Sequence, residues 1–114
     1  TYWPVVEMLM AAADIGQFDG PEEMRAKILR LLAGGDDINV VAERLAQLLG
    51  VVDAAAAPEE TNWAVRKVFE SMAASAPLVV VIDDIHWAEP ALLDLIEHVA
   101  YWSRDSAILL LCDE

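Results

Sequence analysis

The most constraining feature of this chain is Leu78-Val79-Val80-Val81-Ile82, an unbroken apolar run closed by Asp83-Asp84. A strand that lies half in water alternates apolar and polar residues, because successive side chains point to opposite faces. This run does not alternate. It predicts a strand covered on both faces, as in the parallel sheets of α/β proteins. A second such run, Ala107-Ile108-Leu109-Leu110-Leu111-Cys112, follows after room for one loop and one helix. Pro90 opens that helix, with Leu92, Leu93, Ile96, Val99 and Ala100 expected along its inner side, and Ser103-Arg104-Asp105-Ser106 turns the chain. The order predicts a right-handed βαβ unit whose two parallel strands cover about 78–83 and 107–112.

Upstream of this unit the apolar period is helical, and about four helices are expected. Pro4 suits a first turn, with Val5, Met8, Leu9 and Ala12 on one face up to Gly16. Gly20-Pro21-Glu22-Glu23 starts the next, since proline tolerates the first turn and acids favour the positive end of the helix dipole. Met24, Ile28, Leu31 and Leu32 form its stripe, and Gly34-Gly35 ends it. Asp36 or Asp37 is positioned to cap a third helix carrying Val41, Leu45, Leu48 and Leu49 before Gly50. Val51 to Ala57 reads as a linker or as a helical extension, because alanine favours helix. Pro58-Glu59-Glu60 opens a fourth helix, with Val65, Val68, Phe69, Met72 and Ala76 on its apolar face, and Pro77 stops it.

Composition narrows the partners. The chain has 114 residues, enough for one domain with a single core, and 57% are hydrophobic, which excludes wholesale disorder. Seven basic against twenty acidic residues give a net charge of −13, which repels nucleic acid and anionic membrane. No apolar run approaches the ~20 residues of a membrane span, and no basic, apolar leader is present at the start of this stretch. The single cysteine, Cys112, forms no internal disulfide, in keeping with a cytoplasmic location. His86 and His98 lack metal-ligand spacing.

Two doubly buried strands do not make a complete sheet, because their outer edges would stay unpaired. The sequence therefore reads as an interior piece of a larger α/β domain. Its partners are expected to be the rest of that domain or, through the exposed edges, a second copy. In nucleotide-hydrolysing P-loop folds, a strand of this type holds an aspartate at the sheet's carboxyl edge. There it bonds waters of a Mg²⁺ that bridges phosphates. A neighbouring acid can orient the attacking water. Adjacent strand residues face opposite ways, so the two acids divide these roles, with Asp83 assigned to the metal and Asp84 to the water. The plainer alternative is a strand entering solvent through two acids.

The segment Leu78 to Pro90, with Ile85-His86-Trp87-Ala88-Glu89 after the acids, resembles the Walker B region of STAND-class P-loop ATPase domains. Such domains occur in bacterial LuxR-type transcriptional regulators and in adenylate/guanylate cyclase-associated signalling proteins. Tyr2-Trp3-Pro4, Glu60-Thr61-Asn62-Trp63-Ala64-Val65-Arg66 and the stretch from Asp94 to the strand at Ile108 extend the likeness. The resemblance implies a helix-rich part of a three-layer P-loop fold over residues 1–114, with Mg²⁺ and ATP as cofactors of the intact domain. It also implies a glycine-rich phosphate loop, Gly-x-x-x-x-Gly-Lys-Ser/Thr, which this sequence lacks and which is expected upstream of Thr1. Without that cradle no tight ATP binding and no activity are expected of this piece alone. A degenerate relative serving as a helical interaction or scaffold module is the competing reading. His86 reads as a loop histidine or a phosphate contact, and Trp87 as a packing anchor or a base-stacking ring. Arg66-Lys67 reads as a solvated face, and His98 is assigned no role.

Overall fold

Proline opens four of the five helices among the described residues, and a residue of positive φ follows three of the five. The computed structural model describes residues 2–51, 56–83 and 89–113. Helix α1 spans Trp3–Ala12, α2 Pro21–Leu31, α3 Ile38–Leu48 and α4 Pro58–Ser75. Strand β1 (Leu78–Ile82), α5 (Pro90–Trp102) and β2 (Ile108–Cys112) complete the order. The expected α/β class, the helices before β1 and the strand–helix–strand unit are all present.

Several boundaries depart from the sequence pattern, each for a local reason. Helix α1 stops well before Gly16. Asp14 adopts a left-handed φ of 60°, its N–H donates to the Ala11 carbonyl, and the Ile15 N–H donates to Met10 at 2.8 Å. That is a Schellman closure with aspartate in the position glycine normally holds. Helix α3 closes in the same way at Gly50 (φ 79°), with the Val51 N–H on the Ala46 carbonyl at 2.8 Å. Asp37 does occupy the residue before α3, but its φ of 56° is left-handed and its carboxylate caps nothing. Ala76, expected on the apolar face of α4, is exposed beyond the helix end.

The core is one cluster that runs through every element except β2. Val5 and Leu9 of α1, Ile28 of α2, and Val41 and Leu45 of α3 meet Val65, Val68 and Phe69 of α4. Leu92, Leu95 and Val99 of α5 continue it to Val80 and Ile82 of β1. Leu95 takes the inward place expected of Leu93 and Ala100, which are exposed. Those two lie seven residues apart on the flank of the stripe that 92, 95, 96 and 99 make. Ion pairs pin the helices at the surface: Arg25 Nη1 to Glu43 Oε2 at 3.0 Å between α2 and α3, and Arg44 to Glu60 between α3 and α4.

The strands pair in parallel, Leu78 with Ile108 through Ile82 with Cys112. Val80, Ile82 and Leu110 face Val5 and Met8 of α1, Phe69 of α4, and Leu95, Ile96 and Val99 of α5. The other face does not match the expectation of double coverage. Val79, Val81, Leu109 and Leu111 are 47–55% exposed. The described helices that reach the sheet pack on one side of it, so the absence of alternation in the sequence has no counterpart in the burial. The radius of gyration, 13.3 Å, equals the ~13 Å of a well-packed globule of this length, so the bare face is not a sign of an expanded chain. No helix among the described residues is long and apolar enough to cross a membrane.

Candidate functional site

In a parallel sheet, ligands collect outside the carboxyl ends of the strands, where loops are free to vary and side chains are held by rigid elements. Asp83 is the first residue beyond β1, and it is exposed. The Asp113 N–H donates to the Ile82 carbonyl at 3.0 Å, the bond that completes the last pair of the ladder, Ile82 with Cys112. Since Ile82 is in register with Cys112, Asp83 and Asp113 each follow directly on the last paired residue of their strand. The carboxyl edge of the strand pair therefore ends in two acids.

Asp113 went unassigned in the sequence reading, though the signal was there: each five-residue strand is followed at once by an aspartate. Asp84, the expected water-orienting acid, lies outside the described residues, as do His86 and Trp87. Carboxylate oxygens are the donors Mg²⁺ prefers, and Mg²⁺ characteristically takes one or two of them and fills its octahedron with water and phosphate. The donor chemistry of Asp83 fits such an ion. Among the described residues no three His, Cys, Asp or Glu side chains gather into a fuller metal cage.

The basic residues are mostly engaged elsewhere. Arg25 and Arg44 hold the ion pairs already described, and Lys27 Nζ reaches Asp19 Oδ2 at 2.5 Å and the Asp14 carbonyl at 2.7 Å. That lysine holds the Asp19 carboxyl below its ordinary range. Arg104 stacks over the Tyr101 ring at 4.9 Å. Lys67 lines an open cavity of about 300 Å³ with Gly34, Gly35, Asp36 and Ser71. Gly35 lies close to α4 there, and a Cβ would sit 2.6 Å from Ser71 Oγ, which would have to turn away.

A second polar cluster joins α4 to α5. Arg66 Nε donates to His98 Nε2 at 3.1 Å, and Arg66 Nη1 donates to Glu70 Oε2 at 3.1 Å. The buried Ser103 donates its hydroxyl to the same Glu70 oxygen at 3.0 Å. Burial, and then the Arg66 charge, push the His98 imidazole below its ordinary range, with Glu70 opposing. So Arg66, read from sequence as part of a solvated face, is a bridging residue, and His98 is its acceptor. The chain matches no protein-family model, no curated protein and no solved structure.

Proposed function

We propose that this chain is part of a P-loop ATPase domain of the STAND kind, working as a nucleotide-dependent switch in a cytoplasmic transcriptional regulator or cyclase-type signalling protein. The observation that carries the reading is the buried-core strand β1 delivering an exposed Asp83 to the carboxyl edge of a parallel pair. A residue fixed by the first position after a rigid strand keeps its direction while neighbouring loops move, which suits a metal-holding role. Asp83 would hold Mg²⁺, an ion that neutralises the charge of the terminal phosphates. Asp84 orients the attacking water, and Asp113 adds negative potential beside Asp83. The uncovered face of Val79, Val81, Leu109 and Leu111 supports membership of a larger layered domain, because parallel sheets are stable where both faces are covered.

The same face favours a second reading, a non-catalytic scaffold that binds partners through its apolar surface. Residues preceding Thr1 in the parent protein discriminate. A Gly-x-x-x-x-Gly-Lys-Ser/Thr there supports the ATPase, and its absence supports the scaffold. On this chain, the test is line broadening by Mn²⁺ in place of Mg²⁺. Asp83 and Asp113 amide signals are expected to broaden first among the acids, and Asp83→Asn to remove that preference. Broadening spread evenly over Glu22-Glu23, Asp36-Asp37 and Glu59-Glu60 would remove the metal role from Asp83.

A further inference from the structure

The contact between α4 and α5 places a titratable acceptor where only its neutral form can serve. Arg66 has no acceptor capacity, so its Nε–H toward His98 Nε2 requires a lone pair on that nitrogen. The imidazole proton must then reside on Nδ1. Protonation of His98 replaces the lone pair with an N–H, sets donor against donor, and adds a positive charge beside a guanidinium that is never neutral. We propose that His98, Arg66, Glu70 and Ser103 form a proton-sensitive clasp, which fastens α5 to α4 while the imidazole is neutral and loosens on mild acidification.

Three features of the cluster support a clasp rather than a surface coincidence. The Arg66 and Glu70 side chains are only 17% and 22% exposed, so water competes weakly for their hydrogen bonds. Glu70 receives donors from both helices, Arg66 from its own and Ser103 from the end of α5, so it ties the two into one unit. Ser103 is buried, so releasing its hydroxyl would leave a polar group to be rehydrated. The charged groups facing His98 from α4 are Arg66 and Glu70, with opposite effects on its protonation. On its own helix Asp94 and Glu97 are exposed to solvent, and the neutral Trp102 ring lies 6.3 Å away. Burial and Arg66 outweigh Glu70, which places the change below the ordinary histidine range rather than above it.

The consequence reaches the carboxyl edge. Helix α5 starts at Pro90, a few residues after Asp83, so a shift of α5 against α4 moves the anchor of the segment that follows Asp83. The clasp requires neither nucleotide nor metal, and its test is independent of the ATPase reading. His98→Gln offers an amide oxygen to Arg66 and cannot titrate, so it preserves the clasp while removing its pH dependence. Imidazole proton shifts and α5 amide exchange, measured from pH 7.5 to 5, read both parts in the wild type and in His98→Gln.

The imidazole is expected to titrate below the ordinary histidine range, and Glu70→Gln to lower it further by removing the opposing carboxylate. Exchange from α5 is expected to be equal in wild type and His98→Gln at pH 7.5. At pH 5 it should be about tenfold or more faster in the wild type, the factor that one hydrogen bond from a charged donor contributes. A His98 that titrates at or above the ordinary range, or α5 exchange that stays equal in the two proteins at both pH values, would overturn the clasp.

Discussion

Leu45 of α3 and Leu109 of β2 are the same residue in opposite circumstances, 1% and 53% exposed. The helices satisfy their backbone hydrogen bonds internally and need only bury an apolar stripe. Helices α2 to α4 do so largely against one another, and α1 and α5 partly against the inner face of the sheet. A strand cannot close its own hydrogen bonds, and a two-stranded sheet has one covered face and two free edges. The helical layer therefore has its apolar stripes covered, whereas the strand region leaves Val79, Val81, Leu109 and Leu111 bare. Stability should reside in the first region, and association in the second.

The sharpest way to break this comparison is to truncate both leucines. Leu45→Ala removes a fully enclosed side chain and is expected to cost about 2–5 kcal/mol, against less than about 1 kcal/mol for Leu109→Ala, measured by urea unfolding. Equal losses would mean that the outer face is covered in solution. Gly35→Ala tests the join between the α2–α3 loop and α4. Its Cβ would press on Ser71 Oγ, with an expected loss of about 1–2 kcal/mol that Ser71→Gly relieves in the double variant. Asp14→Gly should act in the opposite direction. Its left-handed φ suits glycine better, so a gain of up to about 1 kcal/mol is expected, with the Lys27 bond to the residue-14 carbonyl retained. The smallest stability effect is expected from Val81→Thr, within about 0.5 kcal/mol, since it keeps a β-branched side chain on the bare face. Sedimentation should nevertheless show less self-association than in the wild type.

Acidity separates the two regions again. His98 binds a proton less readily in the folded chain than in the unfolded one. Between its folded value and the ordinary histidine value, the unfolded chain carries more protons, so stability falls as pH drops through that window. Above the ordinary value the contribution is complete, and below the folded value no further loss arises from this group. Subtracting the His98→Gln unfolding midpoints at each pH isolates the effect from the many carboxylates.

Element types were legible from the sequence because proline starts and apolar periods are local signals. Helix ends were less so: glycine was expected to close α1, but Asp14 does so, supported by the Ile15–Met10 hydrogen bond that no composition rule reveals. The covered and uncovered faces of β1 could not be told apart, because both rows are aliphatic. Asp83 was readable as the end of an apolar run. Its neighbour Asp113 required the register, and the partnership of His98 with Arg66 required the packing of α5 on α4, a contact between residues far apart in sequence.

Asp83, held at the end of β1, is proposed to bind magnesium beside a triphosphate, and Mg-ATP turnover of the parent domain carrying Asp83→Asn tests that role most directly. Turnover is expected to fall about a hundredfold or more while the domain stays folded. Unchanged ATP binding and turnover in that variant would contradict it.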